Sequence, residues 1–178
     1  APKEPIDDQS PQLLQLQAEL AAMAAPAANQ LPTAMTVSTT LEPGIYHATA
    51  MTTTAGITVT FYGDGTGVNS HWLINSDSFL AFGASTIIEL KNAGPKSTIT
   101  WNSGSYIEVG ASAELRGTFF AGSYILTGAS TTLERTGGNC GGLFTNTGAV
   151  TLGASNIIGA YDCTSGPVEP DHFAIEHD

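Results

Sequence analysis

The side chains of this sequence that could do chemistry are four histidines, two cysteines and sixteen carboxylates, and their spacing argues against most of the chemistry open to them. A helical zinc site needs paired imidazoles about one turn apart with a carboxylate between them. His47, His71, His172 and His177 show no such spacing, and the last two stand in an acidic terminal stretch, so they read as surface residues. Asp64 lies in Gly63-Asp64-Gly65-Thr66-Gly67, where a lone carboxylate fits a turn better than a calcium loop. Gly137-Gly138-Asn139-Cys140-Gly141-Gly142 is rich in glycine but lacks the following Lys-Ser/Thr of a phosphate loop. Glycoside hydrolysis needs two facing carboxylates, whereas Glu108 and Glu114 both read as pointing outward. These residues predict no catalytic site, no metal and no cofactor; the protein reads as a non-enzyme.

The elements that must position these side chains are marked by repetition. Gly83-Ala84-Ser85, Gly110-Ala111-Ser112, Gly128-Ala129-Ser130 and Gly153-Ala154-Ser155 are one tripeptide, in copies 27, 18 and 25 residues apart. A short repeat at near-fixed period marks a solenoid, here an 18-residue coil with two insertions. Side chains of a strand alternate between its two faces. Leu80, Ile107, Ile125 and Val150 are therefore predicted to point inward, with Phe82, Val109, Thr127 and Leu152 two residues later. Ala84, Ala111, Ala129 and Ala154 continue that parity, and the glycine before each supplies backbone freedom at a bend. The outward columns read Ala81, Glu108, Leu126, Thr151 and Glu89, Arg116, Glu134, Gly159. Phe79, Tyr106 and Tyr124 share another position, either as a stacked ladder or as an exposed strip that docks another subunit.

Ser10 suits an N-cap and Pro11 a first helical position, and Leu13, Leu16, Leu20 and Met23 form one apolar stripe before Pro26. This predicts a helix of about four turns lying on a solenoid face. Leu31 to Ala50 reads as a connector, and strands are predicted at Ile57–Phe61, His71–Ile74, Thr98–Trp101 and Thr118–Phe120. The chain divides into a polar tail (1–9), the helix (10–26), the solenoid (27–163) and an acidic tail (164–178) with Phe173 and Ile175 two apart.

At 178 residues this is one domain. A formal charge of −11 would repel a phosphate backbone, which argues against nucleic acid, and no apolar run approaches the ~20 residues of a membrane span. Cys140 and Cys163 read as a disulfide in a secreted chain, tying the longer insertion to the last coil. The start at Ala1-Pro2 reads as a processed extracellular protein.

Several motifs in order resemble the ice-binding-protein-like β-solenoids. Leu41-Glu42-Pro43-Gly44-Ile45-Tyr46 resembles that family's L-x-P-G-V-Y, and Thr98 to Ser105 its N-V-F-W-Q-V-G-S. Gly117-Thr118-Phe119-Phe120-Ala121 is similar to G-T-I-L-A, and Thr147 to Leu152 to x-G-A-V-T-L. The resemblance runs from about Pro11 to Ile158. It implies a mainly β fold, a right-handed β-solenoid of triangular section with one α-helix packed alongside.

Two departures bear on function. Family members carry a further β-rich segment before the helix, where only Ala1 to Gln9 stand here, so open sheet edges are expected. The outward columns carry charges, where the resemblance implies a flat face of Thr, Ser and Ala. The sequence therefore favours an extracellular structural protein that self-assembles into a filament or surface layer through open solenoid ends or donated tails, its partners copies of itself, with Phe79, Tyr106, Tyr124, Phe173 and Ile175 as the candidate assembly surface. The alternative is an antifreeze protein whose partner is ice, met by Thr52, Thr53 and Thr54.

Overall fold

The computed structural model describes residues 10–136 and 141–159. After helix α1 (Ser10–Ala21) and a 3-10 turn (Ala27–Asn29), the chain winds into coils of three short strands. The first coil is β1 (Ala34–Met35), β2 (Thr39–Leu41) and β3 (Gly44–Ala48). The second is β4 (Met51–Thr53), β5 (Thr58–Tyr62) and β6 (His71–Ser76), and the third β7 (Leu80–Phe82), β8 (Ile87–Lys91) and β9 (Thr98–Ser103). The fourth is β10 (Ile107–Val109), β11 (Glu114–Arg116) and β12 (Thr118–Ala121), and the fifth β13 (Ile125–Thr127), β14 (Thr132–Glu134) and β15 (Gly142–Thr145). A sixth holds β16 (Val150–Thr151) and β17 (Ile157–Ile158). Each strand pairs in parallel with its equivalent in the next coil, which builds three sheets. Sheet I runs β1-β4-β7-β10-β13-β16, sheet II β2-β5-β8-β11-β14-β17, and sheet III β3-β6-β9-β12-β15. The fold is a three-sided β-solenoid, and the stretch Leu31 to Ala50, expected as a connector, is its first complete coil.

The predicted inward columns hold through the fifth coil, while their last members, Val150 and Leu152, are exposed. Leu80 pairs with Ile107, Ile107 with Ile125 and Ile125 with Val150. Leu80, Ile107 and Ile125 are fully buried. Between the sheets Phe61 meets Trp72 and Trp101 edge-on with ring centroids 5.5 Å apart, and Trp101 stacks on Phe119 at 5.4 Å. Removing this much apolar surface from water is the main stabilising term for such a core.

The Gly-Ala-Ser corner works differently from the sequence expectation. Ala84, Ala111, Ala129 and Ala154 are exposed, not inward. The bend falls inside the tripeptide and breaks the two-residue alternation there. It is the serine that turns the chain: Ser85, Ser112 and Ser130 have φ 57° and Ser155 φ 60°, in the left-handed region. The glycine serves close approach instead, since a Cβ on Gly110 would stand 2.4 Å from the backbone nitrogen of Ala84. Inward packing resumes at Thr86, Ala113 and Thr131, and the Thr131 hydroxyl donates to the Gly128 carbonyl at 3.0 Å.

The helix also differs. It ends at Ala21, short of Pro26, and of its predicted stripe Leu16 and Met23 are exposed while Leu13 and Leu20 are half-buried. Its one buried residue is Gln17. The reason is the surface beneath it, where sheet III presents amides. Asn102 Nδ2 donates to the Gln17 carbonyl at 3.1 Å and to Asn75 Oδ1 at 3.0 Å, and Asn75 Nδ2 donates to the Leu20 carbonyl at 2.7 Å. Each of these buried groups has its partner, as burial requires. Asn102→Leu would orphan both acceptors of its amide, and a loss of about 2 kcal/mol is expected by urea unfolding, with faster hydrogen exchange along α1.

Candidate functional site

Three sheets offer three outer faces, and two are occupied or strongly hydrated. Sheet III lies under α1. The middle column of sheet II runs Thr40, Thr60, Glu89, Arg116, Glu134. Thr60 donates to Glu89 at 2.6 Å, Lys91 pairs with Glu89 at 2.9 Å, and Arg116 pairs with Glu134. The Thr60 hydrogen bond, then Lys91, holds the Glu89 carboxyl below its ordinary range. Such charges keep their water.

Sheet I is open. Its outward middle column reads Ala34, Thr52, Ala81, Glu108, Leu126, Thr151, each residue in register with the next. One flank carries Thr54, Gly83, Gly110, Gly128 and Gly153, so little projects there. On the other flank Phe79, Tyr106 and Tyr124 stack with centroids 5.1 Å apart and planes within 5° and 4°. Glu108 is the one charge in the column, and it accepts a hydrogen bond from the Tyr124 hydroxyl at 2.8 Å. That bond draws the carboxylate toward the aromatic margin and raises the Tyr124 phenol above its ordinary value. What remains is a sparsely charged strip in which alanine and threonine occupy four of the six middle positions, with Glu108 and the exposed Leu126 as the larger side chains.

The predicted ice-facing residues separate. Thr52 stands exposed in the middle column and Thr54 on its flank. Thr53 is buried at 2% exposure, with its hydroxyl 2.8 Å from that of Thr86, because neighbours in a strand face opposite ways. The three aromatic residues stack on one another as a ladder and are half-buried. Phe173, Ile175, Cys140, Cys163, His172 and His177 lie outside the described residues. His47 is held by Gln30 at 2.8 Å and Asp77 at 2.9 Å, and His71 by Thr98 at 2.7 Å. Glu108 is on sheet I and Glu114 on sheet II, so they do not face one another. Among the described residues no group of His, Cys, Asp or Glu is arranged to hold a metal ion, and no helix is long and apolar enough to cross a membrane.

The sequence reading missed that Ala34 and Thr52 head the column starting at Ala81. A signal was present. Thr54-Ala55-Gly56 is a degenerate copy of Gly83-Ala84-Ser85, with Gly56 at φ 78° where Ser85 has φ 57°. The Gly56 amide bonds the Ala84 carbonyl at 2.9 Å, as the Ser85 amide bonds that of Ala111 at 2.9 Å.

A solenoid of this section with a helix on one side has known relatives. The family model described as ice-binding-like matches residues 9–158. The chain belongs to the ice-binding-like family. Among solved structures of ice-binding proteins, the DUF3494 domain of ice-binding protein 1 from Shewanella frigidimarina is 26% identical, with TM-score 0.68 over 86% of this chain and 62% of that one. An ice-binding protein from an Antarctic biological consortium is 22% identical, with TM-score 0.65 over 84% and 63%. One from the Antarctic ascomycete Antarctomyces psychrotrophicus is 17% identical, with TM-score 0.66 over 86% and 70%. The chain thus spans less than two-thirds of the length of the first two. No curated sequence relative matches it. The ice-binding-like fold expected from the motifs is the fold observed.

Proposed function

We propose that this member of the ice-binding-like family binds ice, and does so through sheet I. The observation that carries the reading is the outward column Ala34, Thr52, Ala81, Glu108, Leu126, Thr151, which holds one charge and, among the described residues, lies on a sheet free of both helix and ion pairs. A crystalline plane cannot adapt to a protein, so the protein surface must be flat and must release its own water cheaply. Small and threonine side chains release water more readily than carboxylates or ammonium groups. Family membership and the likeness to solved ice-binding proteins support the same reading. Thermal hysteresis and inhibition of ice recrystallisation by the purified chain test it. Both are expected, and their absence in concentrated solution would overturn it.

The other reading of the sequence is self-assembly through open solenoid ends or donated tails, and a filament built from ends needs two of them open. The entry end offers only short edges: β1 and β2 have two and three residues, with Pro32 and Pro43 beside them, and β3 is covered by Ala27–Asn29 and Gln30. Short, proline-flanked edges resist pairing with other chains. Ice binding is therefore the better-supported function. We also place the protein outside the cell, where a Cys140–Cys163 bond could persist. Mass mapping of the unreduced native protein checks this, and two free thiols would count against it.

A further inference from the structure

Glu108 is the one charge in the middle column of sheet I, and its neighbours there cannot hydrogen-bond it. The register sets Ala81 on one side and Leu126 on the other, and neither side chain carries a polar atom. On sheet II, Glu89 pairs with Lys91 at 2.9 Å and Glu134 with Arg116, so those carboxylates meet cations. On sheet I the partner is neutral. The Tyr124 hydroxyl donates to Glu108 Oε1 at 2.8 Å, and a bond to an ionised acceptor is of the stronger kind. Two members of the aromatic ladder stand diagonally to Glu108, Phe79 one coil back and Tyr124 one coil on, and of these Tyr124 has a hydroxyl. That hydroxyl is itself held in place. The Tyr124 ring stacks on Tyr106 and Tyr106 on Phe79, with centroids 5.1 Å apart in both pairs and planes within 5°, and all three are half-buried.

We propose that Tyr124 is a positioning residue of the ice-binding face: its hydroxyl fixes the Glu108 carboxylate and replaces part of its water shell, so that sheet I meets ice without a freely hydrated charge. The inference rests on the ice-binding reading above. A free carboxylate turns with its side chain and keeps its water at the surface that ice must meet, and stripping that water is costly. A cationic partner would bring a second strongly hydrated group to the face. A phenol satisfies one carboxylate oxygen and adds no charge. The stack lowers the cost of the arrangement, because a ring already held between its neighbours has little freedom left to lose when its hydroxyl is engaged. The Tyr124 phenol is raised above its ordinary value by the bond to Glu108 first and by burial next, as expected of a donor to an ionised carboxylate.

Two measurements on the full chain test this, one of them without ice. Tyr124→Phe removes the hydroxyl and keeps a ring of the kind the ladder already accepts at Phe79. Its thermal hysteresis is expected to fall about fivefold at equal concentration, the factor that one ordinary hydrogen bond makes in an equilibrium. In a Glu108→Ala background the same change should have no effect, because no carboxylate is left to hold. A ring with only a structural role would lose as much in either background, and that result overturns the proposal. So does a Tyr124→Phe variant as active as the parent. Loss of activity in Glu108→Ala alone overturns it as well, since the carboxylate would then be an ice contact in its own right. Without ice, a pH titration of the tyrosine ring carbons by NMR reads the bond itself. The Tyr124 phenol should titrate above its ordinary range in the parent and return toward it in Glu108→Gln. An unmoved titration in an active protein sinks this proposal and leaves the ice-binding reading standing. A parent without hysteresis sinks both, whatever the titration shows.

Discussion

Ala81→Tyr is expected to abolish most of the ice-binding activity while leaving the solenoid folded. Ala81 sits in the middle of the outward column of sheet I, between Thr52 and Glu108 in the adjacent coils, with Gly83 two residues along the same strand. A phenol ring there would fill the hollow between Thr52, Glu108 and Leu126 and project beyond the alanine it replaces. Because ice does not deform, one protruding ring separates the adjacent coils from the surface as well as its own. A fall of roughly tenfold in the concentration dependence of thermal hysteresis corresponds to about 1.4 kcal/mol of adsorption free energy. The comparison is Thr40→Tyr, an exposed threonine at the head of the sheet II column. It adds the same ring to the face carrying Glu89, Arg116 and Glu134, and activity should not change. Loss in the Thr40 variant with retention in the Ala81 variant would move the site to sheet II. Unfolding midpoints of both variants should stay close to the parent, since exposed substitutions usually change stability by no more than about 0.5 kcal/mol.

The inward ladder was legible in the sequence because burial acts on every coil alike. Leu80, Ile107, Ile125 and Val150 must all be apolar, and a repeated constraint leaves a repeated letter. The helix site was not legible. A leucine stripe normally marks the buried face, but here the opposing surface is the Asn75–Asn102 pair, and only a partner known in space makes Gln17 the residue to bury. Open ends were also expected without distinction, since strand pairing across 16 or more residues cannot be read from either partner alone. Asn29 and Gln30 look like any polar linker until Ile45 and His47 are brought beside them. The outward column was half read: its Gly-Ala-Ser copies located Ala81 to Thr151, while Thr52 lay in a coil whose corner uses Gly56 in place of serine. The partner of Glu108 was not legible either: its carboxylate accepts a hydrogen bond from the Tyr124 hydroxyl one coil on.

The repeated glycine gives the largest expected loss of stability. Gly110→Val should destabilise the protein by at least about 3 kcal/mol, the upper range for forcing atoms into a packed site. A Cβ at Gly110 would lie 2.4 Å from the Ala84 nitrogen, 2.7 Å from the Ala84 Cα and 2.8 Å from the Gly83 carbonyl carbon. All three are backbone atoms, so no rotamer change relieves the contact and the coils must move apart. The same approach recurs at Gly128, 2.5 Å from the Ala111 nitrogen, and at Gly153, 2.5 Å from the Gly128 carbonyl carbon. Gly110 does not have a positive φ, so the requirement is for space and not for a left-handed backbone. That distinction can be measured. Were a left-handed backbone the reason, Gly110→Ala would cost about 1–2 kcal/mol, the penalty of an L side chain in that region. A spatial reason predicts a clearly larger cost for Ala and a further one for Val, read as a lower urea midpoint with unchanged slope. Gly67→Ala, with nothing within 4 Å of its added carbon, should be near neutral. Ser112→Gly tests the other half of the corner. Ser112 carries the positive φ of 57°, so removing its side chain relieves strain there and should offset much of the entropy that glycine adds to the unfolded chain. A tight glycine beside a left-handed serine lets each coil turn within the thickness of one strand, and so keeps sheet I flat up to its edge.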